Sequence, residues 1–330
     1  MRRRWCHRRN NENNAMMRAL NDNAPPPRSP LAKPRWDIEG RDWPNRDASR
    51  FVHAAGLRWH VQESGRGPVL LLIHGTSAAT HSWRRLAPLL AEPFTVVAPD
   101  LPGHGFTETP AAARMTLDAM AQDLATLLRG LDHAPAVVAG HSAGAALLAR
   151  MCLDGSIAPA GLVALNGALL PIGGAAGRVM LPLARLLASS ALVPRLLARF
   201  AGNPGMVERM LADTGSSIEP EGIDYYRRLV RSPGHVAAAL RMMASWRLER
   251  TAQQLPQLAT RLLLIAGSND KTIAASNSAR VQRMVPGAGI AVMPGLGHLA
   301  HEERPHDVRD IMVEFARDAG LLPRSLAAAE

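Results

Sequence analysis

The chain has 330 residues, of which 47% are hydrophobic and 4% aromatic, and its formal net charge is +10. That length accommodates one large α/β domain with an inserted subdomain and an ample core. Two cysteines, Cys6 and Cys152, exclude a disulfide framework, and their surroundings lack metal-ligand spacing. A reducing, cytoplasmic setting is expected.

Residues 1–36 precede the first patterned segment. Over residues 1–28 Arg2, Arg3, Arg4, Arg8, Arg9, Arg18 and Arg28 stand against Glu12 and Asp22, a surplus of five positive charges. With the Asn-rich run 10–14 and Pro25-Pro26-Pro27, this predicts a disordered basic, Pro-rich arm. It could touch anionic lipid or nucleic acid. A solvated tail, or a true start at Met16 or Met17, is the plainer expectation, and no nucleic-acid partner is expected. No apolar core follows the arginines, so the arm does not have the pattern of a secretory signal. Elsewhere no uncharged run reaches the roughly 18–20 residues of a membrane span.

Residues 50–62 read as a strand pair turning at Ala54-Ala55-Gly56. The run Val69-Leu70-Leu71-Leu72-Ile73 is continuously apolar, as a parallel strand covered on both faces must be. A short helix over 86–91, a buried strand over 94–98 and a helix over 116–129 follow, with Thr116 as its N-cap. A strand over 135–139 then runs into Gly140-His141-Ser142-Ala143-Gly144, and a small-residue helix over 145–151 follows it. The next strand covers 162–166. After Asn166 the alternation stops: 167–252 is rich in Leu, Ala, Arg and Met and broken by prolines, predicting an inserted helical cap. Alternation resumes over 253–330 with a strand at 261–266, a helix at 275–284, a strand at 289–293 and a helix at 306–319. Alternating strands and helices imply an α/β fold with a mostly parallel sheet and helices on both faces. Residues 37–166 and 253–330 would be the two parts of that core.

G-x-S-x-G between a strand and a helix marks a serine nucleophile on a strained turn, which assigns that role to Ser142. A serine hydroxyl needs a base and an orienter. Asp270 and His298 each follow a strand of the resumed alternation, so all three groups would share one sheet edge. His301 and His306 are near enough to compete with His298. The Gly295-Leu296-Gly297 spacing before His298 favours His298. An oxyanion hole requires two backbone N–H donors. Ala143, at the start of the helix, would give one and Thr76 of His74-Gly75-Thr76-Ser77 the other, with Ser77 second. His74 reads as structural, and the turn Asp100-Leu101-Pro102-Gly103-His104-Gly105 as a shaper of the site floor. Neither a metal motif nor a phosphate loop is present, so no metal and no cofactor are expected.

These elements in this order resemble the α/β-hydrolase fold superfamily over about residues 50–321. A narrower similarity, to the magnesium chelatase accessory family of α/β-hydrolases encoded with bacteriochlorophyll biosynthesis genes, rests on several stretches. They include Gly40-Arg41-Asp42-Trp43-Pro44-Asn45-Arg46, His81-Ser82-Trp83-Arg84, Leu165-Asn166-Gly167-Ala168-Leu169-Leu170-Pro171 and Gly297-His298-Leu299-Ala300-His301-Glu302-Glu303. That resemblance implies a role around magnesium insertion into protoporphyrin, in photosynthetic pigment synthesis, with magnesium chelatase as partner. It does not imply the insertion itself, since no ATP-binding motif is present.

The apolar stretch 178–200, with Arg178, Arg185, Arg195 and Arg199 interleaved, admits three accounts. It could pack on the sheet domain, rim a cavity for a flat hydrophobic ester or tetrapyrrole, or touch an anionic membrane together with the basic arm. Ser77, Trp83, Asn166 and Trp246 are pocket candidates. The expected activity is esterase-like acyl hydrolysis, and the alternative is a non-catalytic tetrapyrrole-binding accessory protein on a hydrolase scaffold.

Overall fold

The computed structural model of the chain describes residues 31–171, 187, 190, 192–203 and 205–323. Eight strands form one sheet: β1 (Ser49–Ala54), β2 (Leu57–Gly65), β3 (Val69–Ile73), β4 (Thr95–Pro99), β5 (Val137–His141), β6 (Gly161–Leu165), β7 (Arg261–Gly267) and β8 (Gly289–Met293). Their order is β1-β2-β4-β3-β5-β6-β7-β8. The β1–β2 and β2–β4 pairs are antiparallel and every other pair is parallel. The helices are α1 (Leu86–Leu90), α2 (Leu117–Gly130), α3 (Ala143–Leu153), α4 (Leu192–Phe200), α5 (Met206–Ala212), α6 (Pro220–Val230), α7 (Pro233–Ser245), α8 (Glu249–Gln254), α9 (Ala275–Met284), α10 (Ala300–Glu303) and α11 (Pro305–Asp318).

The continuously apolar strands serve two cores at once, because successive side chains point to opposite faces. Leu71, Ile73, Val138 and Leu162 pack with α2 and α3 on one face. Leu70, Leu72, Val137 and Val163 pack with α1 and α11 on the other. Register aligns the C-terminal ends: Ile73 pairs with Gly140, His141 with Leu165, Leu165 with Ile265, and Gly267 with Met293. The loops that carry His74, Ser142, Asn166, Asp270 and His298 therefore leave one edge of the sheet.

The pentapeptide is tighter than its sequence suggests. Gly140 and His141 still belong to β5, and α3 already starts at Ala143, so Ser142 alone joins strand to helix. This close reversal needs glycine at 144, where a Cβ would lie 2.2 Å from the Ile73 carbonyl oxygen of β3. Between β6 and β7 the described residues form α4 to α8, with no strand among them. Prolines there start helices as well as interrupting the chain, with Pro220 and Pro233 in the first turns of α6 and α7. Arg178, Arg185 and the arm over 1–30 lie outside the described residues.

Asp100, at the end of β4, is buried and organises the turn beside the site. Its carboxylate accepts from Thr80 N–H (2.7 Å) and Phe106 N–H (2.9 Å), and meets His60 Nδ1 at 2.8 Å. Burial alone would raise its pKa. The His60 ring, its hydrogen bond and the other donors outweigh burial and hold the carboxyl well below the usual value of 3.8. Such a group contributes stability that is present above its unfolded-state pKa and is lost as pH falls through the folded-state value. Asp100→Asn is therefore expected to lower stability at neutral pH and to flatten its decline below about pH 4. Denaturant melts across that range check this, and an acid slope equal to that of the parent contradicts it. Gly144→Ala is expected to cost about 1–3 kcal/mol of unfolding free energy by overpacking against β3. A change within error in the same melts contradicts the close-approach argument.

Candidate active site

Ser142 sits at φ 50° and ψ −116°, a conformation that non-glycine residues adopt only when their surroundings enforce it. Its N–H donates to Leu165 O (2.9 Å), and its carbonyl accepts from Ala145 N–H (3.1 Å) and Ala168 N–H (3.0 Å). A Cβ at Gly140 would lie 2.4 Å from Ala145 N, so the preceding glycine is also dictated by the turn. The loop after β3 lies directly against the serine: a Cβ built on Gly75 would be 3.1 Å from Ser142 Cβ. That loop carries Thr76, whose hydroxyl contacts Met242 Sδ at 3.9 Å. Ala143 opens α3, where backbone N–H groups have no partner within the helix.

The loops that carry Asp270 and His298 meet at the same edge. Asp270 Oδ2 accepts from His298 Nδ1 at 2.8 Å and from Asn166 Nδ2 at 2.8 Å. Asp270 Oδ1 accepts from the backbone N–H groups of Thr272 and Ile273, both at 2.8 Å. Burial pushes the Asp270 pKa up, but the His298 contact and these donors bring it below the ordinary carboxylate value. An ionised Asp270 fixes the proton of His298 on Nδ1, leaving Nε2 with its lone pair.

The pocket candidates are placed differently from one another. Asn166, at φ 47°, is buried and bridges the two loops, bonding Asp270 and the Gly297 carbonyl (3.2 Å). Trp83 is fully buried in the core on the α1 and α11 face, with its ring 4.8 Å from that of His301. Trp246 is buried with Met242 in the opposite core. Ser77, at φ 64°, offers its carbonyl to His235 Nε2 at 3.1 Å. His235 Nδ1 in turn accepts from Gly105 N–H (3.1 Å), and burial, with Lys33 nearby, pushes its pKa down to about 3. His74 has a similar part: Nε2 accepts from Leu101 N–H (2.9 Å) and Nδ1 donates to Gly75 O (2.8 Å). A cavity of about 760 Å³ lined by Leu89, Glu92, Arg309, Asp310 and Arg317 lies at the other end of the sheet, away from Ser142.

Several supports had no signal in the sequence. The segment 214–217, between α5 and α6, is bonded to both loops. Thr214 O accepts from Lys271 N–H (3.1 Å) and His298 N–H (3.4 Å), and Gly215 O accepts from Asn269 Nδ2 (2.8 Å). Ser216 Oγ accepts from Leu299 N–H at 2.8 Å. His141, the variable position of the pentapeptide, donates from Nε2 to His298 O at 2.9 Å. Burial, with His298 beside it, pushes its pKa down to about 3. Below these, Glu302 accepts from Ser82 (2.7 Å), Tyr226 (2.6 Å) and Arg84, and Arg84 also binds Glu219 (2.8 Å). Glu302 lies in the stretch 297–303, where no local sequence pattern marks it as the centre of a buried network. Among the described residues no three His, Cys, Asp or Glu side chains converge as a metal site.

The magnesium-chelatase 30 kDa subunit of Rhodobacter capsulatus is 39% identical over 263 residues, spanning 79% of this chain and 92% of that protein. A solved esterase from Thermogutta terrifontis is 25% identical with a TM-score of 0.66, over 82% of this chain and 98% of that one. A solved epoxide hydrolase superposes with a TM-score of 0.70 at 24% identity, over 82% of this chain and 98% of that one, a likeness of fold alone. Residues 70–311, which hold the elbow and both partner loops, match the alpha/beta hydrolase family, and the chain belongs to it.

Proposed function

We propose that this chain is a serine hydrolase acting on an ester-type substrate through Ser142, His298 and Asp270, as an accessory to magnesium chelatase in bacteriochlorophyll biosynthesis. The observation that carries the chemistry is the 2.8 Å bond between Asp270 and His298 on the sheet edge that also holds Ser142 in its strained turn. Serine at the elbow favours acyl transfer over the epoxide-opening and dehalogenating chemistry that uses aspartate there. The pathway assignment rests on the likeness to the chelatase subunit.

In this mechanism His298 Nε2 takes the proton of Ser142 as Oγ attacks the ester carbonyl. Charge developing on the carbonyl oxygen is met by the N–H groups of Thr76 and Ala143, helped by the positive end of α3. Collapse expels the alcohol, which leaves with the proton from His298, and water activated by the same nitrogen then frees the acid. Asp270 keeps the imidazole in one tautomer and stabilises the imidazolium. The neutral, buried His141 and His301 place no second positive charge beside it.

Ser142→Ala is expected to lower p-nitrophenyl ester turnover by about 10⁶-fold in kcat, and Asp270→Asn by about 10⁴-fold. Steady-state assays check both, and full activity in Ser142→Ala contradicts the assignment. Ser216→Ala removes an anchor of the histidine loop without touching substrate. Its kcat is expected to fall about ten- to a hundredfold with KM little changed. An effect confined to KM contradicts that positioning role.

The likeness to a chelatase subunit favours one second reading, a tetrapyrrole-binding accessory protein that does no hydrolysis. Micromolar binding of protoporphyrin by a chain that turns over no ester supports it.

A further inference from the structure

The surface of α4 has a composition that neither the sheet core nor the site explains. Pro194 and Ala198 are its buried residues, and it packs on α7. Its other face leaves Leu192 67%, Leu196 53% and Phe200 55% exposed. These three stand four residues apart, so they form one stripe along the helix. Arg195 and Arg199, also exposed, repeat at the same spacing beside it. Scattered single apolar residues on a surface need no explanation, but an aligned apolar ridge flanked by cations does.

The charge of the surrounding chain selects the partner. From Gly155 to Val207 the sequence contains Arg178, Arg185, Arg195 and Arg199 and no Asp or Glu. An apolar ridge flanked by guanidinium groups, in a segment free of acids, complements a surface whose apolar interior lies just beneath anionic groups. We propose that α4 docks in the plane of an anionic lipid bilayer, with Leu192, Leu196 and Phe200 entering the acyl boundary and the arginines meeting lipid phosphates.

The position of α4 gives the contact a consequence. It rests on α7, whose Met242 faces inward to the Thr76 hydroxyl while the adjacent Met243 is exposed. One helix layer thus separates the lipid-facing ridge from the loop beside Ser142. An apolar substrate dissolved in the bilayer would be delivered next to the site. Membrane docking itself does not depend on Ser142 being a nucleophile. Among the described residues no helix is long and apolar enough to cross a membrane, and the contact proposed is peripheral.

Vesicle flotation with the full-length chain tests this. Vesicles of phosphatidylcholine mixed with phosphatidylglycerol are compared with phosphatidylcholine alone. The parent protein is expected to float with the anionic vesicles, and less so as salt rises. The triple variant L192S/L196S/F200S is expected to lose most of that binding while keeping the thermal midpoint of the parent. R195Q/R199Q is expected to weaken binding by about fivefold per arginine removed and to lose the preference for anionic lipid. Failure of the parent to float overturns the proposal, as does unchanged flotation of the triple variant. If only removal of residues 1–30 abolishes binding, the basic arm is the anchor and the proposal falls. It also falls if the triple variant changes the sedimentation of lipid-free protein and not vesicle binding, since α4 is then a contact between copies.

Discussion

The chain reverses from β5 into α3 through a single residue, and that reversal constrains everything around it. Only Ser142 lies between strand and helix, at a backbone conformation that costs free energy unless neighbours impose it. The imposition comes from the Leu165 carbonyl below and from glycines 140 and 144, which let the helix approach β3 and β5 closely. The small side chains at the start of α3, Ala143, Ala145 and Ala146, are buried there because larger ones would not fit between helix and sheet. The backbone of Ser142, and with it the direction of its Cα–Cβ bond, is thereby fixed by packing.

Parallel register then does the assembling. Because β3, β5, β6, β7 and β8 end together, residues far apart in sequence meet at one edge with little help from their own loops. The help that exists comes from two sides. Asn166 ties the acid and histidine loops from the end of β6, and the segment 214–217 ties them from the helical insertion. Glu302, Arg84, Tyr226 and Glu219 add a buried charged link between the same insertion and the helix after His298. A buried ion pair is weak support for net stability, but removing one partner leaves the other uncompensated. Movement of the insertion relative to the sheet would break these bonds and disturb the Asp270–His298 pair. In this fold the insertion is therefore coupled to the geometry of the site.

Much of this was legible in the sequence because it is local. Continuous apolar runs announced β3, β5, β6 and β7, and β8 lies where its short pattern puts it, over Gly289–Met293. Strand-end placement of Asp270 and His298 followed from alternation alone, and the structure brings those two side chains into contact. The pocket was less legible. Trp83 and Trp246 are large and amphipathic, which suits a pocket wall as well as a core, and only tertiary packing decides that both are buried with apolar neighbours. Asn166 had the right position, but its bond to Asp270 depends on the chain turning at φ 47°, which no pattern encodes. Ser216 reaches Leu299 across 83 residues of sequence, a separation at which single-chain periodicity carries no information. The prolines of the insertion read as breaks, whereas those at 220 and 233 stand in first turns where their missing N–H costs nothing.

Two levels of function separate on physical grounds. The proposed acyl chemistry rests on the geometry of the sheet edge, and the proposed pathway rests on likeness to a chelatase subunit. The most direct test of the central claim, that His298 and Asp270 activate Ser142, is active-site labelling by a fluorophosphonate followed by peptide mass mapping. The account predicts one phosphonyl group per chain, on the peptide containing Ser142, and its loss in His298→Ala protein that retains the parent's thermal midpoint. Absence of labelling in the parent, or labelling that persists without His298, would contradict it.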